Sequence, residues 1–192
     1  MTEPISRREI ILKEAAHYFR EKGYSGANLR ELARRAGIQG GSIYHHFASK
    51  QEILFQLMDN TMSDMLDSLS AIIAPLACPT EQLRQTIRFH IEYHIVGPDE
   101  TYITDDELRN LEADNYQQII AKRDLYQQRF EEIITKGKIE QDWQGTDVKI
   151  FARAIIQMGA AVTRWYQPGG KFSIDQIADQ YFALLSKGLI KR

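Results

Sequence analysis

Apolar positions recur every three or four residues along most of this 192-residue chain, and no stretch alternates apolar with polar residues as a half-buried strand would. The pattern predicts an all-α fold of about nine helices, divided by glycine and proline. Ser6–Arg7–Arg8–Glu9 reads as a capping box opening a helix to Gly23, with Ile11, Ala15, Tyr18 and Phe19 on its inner face. Asn28–Leu29–Arg30–Glu31 repeats the device for a short second helix ending near Gly37, and a third short helix covers roughly 40–46. Ser49–Lys50–Gln51–Glu52 reads as another capping box and launches a long fourth helix, broken at Pro75 and Pro79. The fifth runs from Thr80 to Gly97–Pro98. A short sixth segment near 105–111 precedes a long seventh over about 114–136, with Tyr116, Ile119, Ile120, Tyr126, Phe130, Ile133 and Ile134 at helical spacing. The eighth spans about 147–166 and stops at "QPGG", where proline and glycine end it. Ser173–Ile174–Asp175–Gln176 caps a ninth carrying Ile177, Tyr181, Phe182, Leu185 and Leu189.

A short helix, a tight turn at Gly37 and a second short helix make a helix-turn-helix, whose second helix docks in the DNA major groove. Such a helix wants small residues at its start, because bulk there holds the backbone off the bases. Gly40, Gly41 and Ser42 meet that need. Tyr44, His45 and His46 then offer hydroxyl and imidazole donors to phosphates, while Ile43 and Phe47 anchor the helix to the core. Charge agrees. Residues 1–50 hold nine Lys/Arg against five Glu, a surplus of +4, while the remaining 142 hold 15 against 21, or −6. A basic head on an acidic body suits a nucleic-acid reader with a separate second function.

The stretch "SRREIILKEAAHYFREKGYSGANLRELARRAGIQGGSIYHHFASKQEIL", residues 6–54, resembles the DNA-binding domain of the TetR family of bacterial repressors. It carries "A-x-x-x-F-x-x-K-G-Y", "L-R-E-L-A-x-x-A-G-I", "G-S-I-Y-H-H-F" and "S-K-x-E-I-L" together. The resemblance implies a base-contacting role for Arg30 and recognition contacts from Ser42 and Tyr44. It implies backbone contacts from His45 and His46, and a phosphate contact from Lys50. Asn28 stands where the family usually has threonine, which keeps the N-cap. Gln39–Gly40 replaces the common Ser–Lys and removes a positive side chain from the groove. The implied division is a DNA-binding domain over 1–49 and a ligand-binding and dimerisation domain over 50–192.

Several side chains in the second part invite a chemical role. His90 and His94 share a helix face at i,i+4 beside Tyr93, and fit a metal, a pocket lining or ordinary helix-face histidines. His45 and His46 point about 100° apart on a helix and do not chelate one ion. Arg123 falls on an apolar stripe, where a guanidinium is costly without an anionic partner, either a carboxylate of the chain or a ligand. Arg164, beside Trp165 and Tyr166, poses the same choice.

The segments "ELRNLEADNYQQIIAKRDLYQQRFEEII" and "GAAVTRWYQPGGKFSIDQIADQYFALLSKGL" are similar to the ligand domain of TetR-type regulators of fatty-acid, steroid and aromatic-acid degradation. That branch implies an acyl-CoA thioester as effector, with His90, Tyr93, His94, Arg123, Arg164 and Trp165 as candidate ligand contacts. A repressor responding to lipophiles without CoA specificity is the alternative within the family. Outside it stands a helical metal-binding or adaptor protein. No Ser/His/Asp or Cys/His set, phosphate loop or metal cluster is recognisable, so neither an enzyme nor a metal or other cofactor is expected. Expected partners are a double-stranded operator and a second copy, met through the eighth and ninth helices. Gly159–Ala160–Ala161 is read there as a place of close approach. No run of about 18 apolar residues crosses a membrane. "MTEPISRREI" has no signal-like apolar core, and the lone Cys78 fits a reducing cytosol, so a cytoplasmic location is expected.

Overall fold

The computed structural model describes residues 6–144 and 147–186, and Leu189 lies outside them. Among the described residues all regular structure is helical. The α-helices are α1 (Arg7–Gly26), α2 (Leu29–Arg35), α3 (Lys50–Ile73), α4 (Pro79–Val96), α5 (Pro98–Asp106), α6 (Ala113–Glu140), α7 (Val148–Ala160) and α8 (Ile174–Ser186). Three 3₁₀ turns join them, at Gly40–His45, Leu108–Asn110 and Ala161–Arg164. The chain forms two compact units, each discontinuous in sequence. One comprises Met1–Ser63 and Asp99–Ala121, the other Asp64–Pro98 and Lys122–Arg192. The division expected from the sequence falls at a single point, after residue 49.

In the first unit, Ser6 and Glu9 form the full reciprocal box at the start of α1. Asn28 caps α2 by accepting the Glu31 amide at 2.9 Å. The Glu31 carboxylate does not reach back, because Arg34 and Arg35 hold it at 2.7 and 3.2 Å. α1 is kinked at Gly23, whose φ of 72° suits glycine. The kink frees the Tyr24 amide, which donates to Glu107 Oε1 at 3.2 Å, and Glu107 Oε2 accepts from Asn110 Nδ2 at 2.5 Å. Nearby, Gln51 joins the same connection, donating to the Asn110 carbonyl at 2.5 Å and accepting the Glu112 amide at 3.2 Å. Arg20 and His17 of α1 hold Asp99 of α5 at 2.6 and 3.0 Å.

In the second unit, α4 packs against both α7 and α8. Leu83, Ile87, Ile91, Phe130, Ile134, Ile155, Ile177 and Phe182 are buried there. Arg84–Asp179 and Arg88–Asp175, each at 2.8 Å, tie α4 to α8 along the solvent side.

Three elements differ from the sequence expectation. The third helix is a 3₁₀ turn: two glycines open it, Gln39 supplies no side-chain cap, and six residues are too few to hold an α-helix. The sixth is α5 followed by a 3₁₀ turn, and it begins at Pro98. Proline ends α4 as expected but also starts the next helix, since its missing N–H and fixed φ suit the first position. The eighth leaves α geometry at Ala160, where Thr163 Oγ1 takes the Ala160 carbonyl at 2.9 Å and competes with the helix bond.

Candidate nucleic-acid interface

The surface that reads as a DNA reader is built on the turn between α2 and the Gly40–His45 segment. Gly37 adopts φ 68°, which lets the chain reverse, and the Ile38 amide bonds the Ala33 carbonyl at 2.9 Å. The segment closes through Ser42 N to Gln39 O at 2.9 Å and Phe47 N to Ile43 O at 2.9 Å. Ile43 and Phe47 are buried, as the pattern required. Gln39, Gly41, Tyr44 and His45 are exposed, Tyr44 to 59 %, and Ser42 and His46 are half-buried. A Cβ on Gly41 would meet nothing within 4 Å, and one on Gly40 would lie 3.8 Å from Cγ of Arg30. Arg30 thus runs alongside the glycine-led start of the segment, so these candidates share one surface.

Two candidates are engaged elsewhere. Asn28 spends its side-chain oxygen on the α2 cap. Lys50 turns inward, with Nζ 2.8 Å from the Tyr24 carbonyl, 2.9 Å from that of Ala27, and 4.4 Å from the Tyr24 ring centroid. Partial burial lowers its pKa. Among the other α2 arginines, Arg34 and Arg35 are committed to Glu31 and Glu21, which leaves Arg30 as the exposed guanidinium beside the glycines.

Two family models match the chain. Bacterial regulatory proteins of the tetR family cover residues 11–57, and the tetracyclin repressor-like C-terminal domain covers 77–189. The chain belongs to the TetR family. Among curated relatives, the HTH-type transcriptional repressor KstR2 of Mycobacterium tuberculosis is 30 % identical over 191 residues, covering 97 % of this chain and 94 % of the relative. The ketosteroid transcriptional regulator KstR2 of Mycobacterium tuberculosis is also similar as a structure, with a TM-score of 0.89 and 28 % identity over 99 % of this chain and 98 % of that one. AibR in complex with isovaleryl coenzyme A and operator DNA superposes with a TM-score of 0.87 at 25 % identity, covering 95 % of this chain and all of that one (100 %). The chain is therefore a TetR-type repressor with a ligand-binding C-terminal domain. No helix among the described residues is long and apolar enough to cross a membrane.

In this TetR regulator the candidate ligand residues of the second unit fall into separate groups. His90 and His94 are buried with ring centroids 4.3 Å apart. His90 Nε2 faces the Ile156 carbonyl at 2.9 Å, and a carbonyl only accepts, so Nε2 carries the proton. Nδ1 then accepts from the Tyr126 hydroxyl at 3.1 Å, and burial pushes the Tyr126 phenol up. Both ring nitrogens of His90 thus already have protein partners. His94 Nδ1 donates to the His90 carbonyl at 2.8 Å, and Tyr93 donates to Asp64 at 2.8 Å. Arg123 is half-buried rather than sunk in the core, and it is engaged by its surroundings. Arg164 and Trp165 are exposed, and Trp165 flanks a shallow cleft with Tyr166, Lys171 and Phe172. Among the described residues no three His, Cys, Asp or Glu come together as metal ligands.

Gly159 takes a different part from the one expected. It is buried, and a Cβ there would fall 2.4 Å from His90 Cδ2 of the same chain. The close approach at Gly159 is therefore internal. Sequence reasoning also passed over Arg8 and Glu107. Arg8 carries one legible sign: a cation in a helix's first turn opposes the dipole and calls for another reason to be there. Glu107 carries none, because its partner lies 83 residues away.

Proposed function

We propose that the chain binds a palindromic operator as a homodimer and is released from it by an acyl-CoA thioester. One observation carries this reading: the likeness over nearly the whole chain to AibR, captured with both isovaleryl coenzyme A and operator DNA. Arg30, Gln39 and Ser42 are assigned to base edges, with Gly40 and Gly41 allowing the backbone close. Tyr44, His45 and His46 are assigned to phosphates. Exposure of Tyr44 and His45 and the placement of Arg30 beside Gly40 support that assignment. Arg30→Ala or Ser42→Ala should relax base preference by about 1–3 kcal/mol at the affected positions in a randomised-site selection. Unchanged preferences would remove both residues from the reader.

The dimer is assigned to α7 and α8. Ile155, Val162 and Leu185 are spent inside the subunit, but Ile150 of α7 is 66 % exposed and Leu184 of α8 is 60 % exposed. Apolar side chains left in water on two helices that both pack on α4 suit a second copy. Sedimentation at micromolar concentration should give a dimer that Leu184→Glu splits; a wild-type monomer would sink the assignment.

For the effector, phosphates call for cations beside an apolar or aromatic surface, and exposed Arg164 next to Trp165 meets that description. His90 contributes by shape, since both its ring nitrogens are engaged within the protein, and His94 Nδ1 is held by the His90 carbonyl. The ligand must bind the DNA-free state better, a coupling of about 1–3 kcal/mol in systems of this kind. Native mass spectrometry with a series of CoA esters, followed by operator displacement, tests the proposal. A CoA ester should displace DNA where the matching free acid does so far more weakly, and Arg164→Ala should blunt the response while leaving operator affinity intact. Displacement by an uncharged lipophile but by no CoA ester would leave the repressor and remove the thioester.

A further inference from the structure

The recognition segment does not hold itself. It is a glycine-led 3₁₀ turn with no side-chain cap at its start, and such turns have weaker hydrogen-bond geometry than an α-helix. Ile43 and Phe47 seat it on the core. Two apolar anchors fix depth better than tilt, and tilt decides which side chains reach the bases.

Its C-terminal end is held by Arg8, from the first turn of α1. The guanidinium Nη1 donates to the His46 carbonyl. The cation lies over the Phe47 ring, 4.1 Å from its centroid, and Nη2 meets Glu52 Oε1 at 3.4 Å. Glu52 completes the loop: its Oε2 accepts the Ala48 amide at 2.6 Å, and its own amide donates to Ser49 Oγ at 3.0 Å. One planar cation and one carboxylate thus grip three consecutive residues, 46 to 48, by carbonyl, ring and amide. A flat guanidinium presents several donors in one rigid plane that stacks on a ring, whereas an ammonium is a compact point charge on a flexible stem and fixes no plane.

We propose that Arg8 is a positioning residue for operator recognition, setting through His46 and Phe47, and with Glu52 as its second, the tilt at which Gly40–His45 meets DNA. The proposal rests on the operator-binding reading above. It makes Arg8 act on sequence preference from beneath the reader. A direct phosphate contact, by contrast, would act through charge alone.

Two variants of the full-length protein separate these roles. Arg8→Lys keeps the charge and loses the planar fork. Specific operator affinity should fall about ten-fold, the size expected for a lost charged hydrogen bond. Affinity for random DNA and the salt slope should stay as in wild type. Glu52→Gln removes a negative charge from a DNA-binding unit, so electrostatics alone predicts tighter binding; loss of the Arg8 partner predicts weaker specific binding. Amide hydrogen exchange without DNA gives an independent readout, with residues 40–48 exchanging faster in both variants and α1 and α2 unchanged. The proposal is overturned if Arg8→Lys retains wild-type operator affinity, if Glu52→Gln binds the operator more tightly, or if exchange over 40–48 does not change. Should wild type select no site from a random pool, the operator reading falls, and the exchange measurement still decides whether Arg8 holds the segment.

Discussion

At Lys50 the resemblance and the geometry point in different directions. The family pattern implies a phosphate contact, yet the ammonium sits on the carbonyls of Tyr24 and Ala27, where α1 runs out. Carbonyls at a helix C-terminus carry partial negative charge and lack helical donors, so a lysine there caps the helix from outside. Lys50→Met should cost about 1–3 kcal/mol of stability through the lost charged hydrogen bonds, read from the denaturant midpoint at unchanged slope. A variant of wild-type stability whose operator binding loses about one unit of salt slope would return Lys50 to the phosphates. The sequence could place Lys50 at the start of α3. It could not show which way the side chain turns, because the Tyr24 and Ala27 carbonyls come together only when Gly23 kinks α1.

Helices whose ends are written in local chemistry were the most legible elements. Ser6–Glu9 and Ser173–Gln176 both close reciprocal boxes, and Gly97 ends α4. Elements whose geometry depends on competition were read less well: the 3₁₀ recognition turn, the helix beginning at Pro98, and the tightened end of α7. The packing of α7 on α4 shows why. Gly159 reads as a site of close approach, and it is one, but only the fold reveals that the neighbour is the His90 ring. With a new Cβ at 2.4 Å from His90 Cδ2, Gly159→Ala should destabilise the protein by about 1–3 kcal/mol, the usual range for overpacking a core. Because the clash is with one side chain, trimming His90 to Ala in the same chain should give a double variant more stable than additivity predicts. Simple additivity of the two in thermal unfolding would place the strain elsewhere.

Over the whole molecule, the basic surplus of the first 50 residues is offset in part by acids beyond it, since Arg20 pairs with Asp99 and Arg8 with Glu52. Arg34 and Arg35 are tied to Glu31 and Glu21, whose carboxyls are held at about 2, against an ordinary 4.5, by the arginine hydrogen bonds of Arg34 and Arg35 respectively. A folded-state pKa below the unfolded one adds stability that is present above the unfolded value and is lost as pH falls through the folded one. Unfolding monitored by helicity should therefore show stability declining between pH 4.5 and 2, less steeply in a Glu31→Gln variant; an equal slope would mean that the Glu31 pairs contribute nothing. The all-helical class and the reader's location were legible, because both rest on local periodicity and a compact motif. The first unit's composition was not, since Asp99, Glu107, Asn110 and Glu112 join it from beyond α4. That interleaving bears on how such a protein can be rearranged by recombination. A single crossover after residue 49, or even after Ser63, would transplant a reader stripped of the acceptors for Tyr24 and Arg20 and of buried Ile103 and Ile119. A fragment of residues 1–63 should accordingly show weak, non-cooperative thermal unfolding, and a chimera carrying 99–121 along with 1–63 should regain a cooperative transition. New pairings of reader and sensor would then arise more readily by point substitution on the exposed face of Gly40–His45 than by shuffling of whole segments.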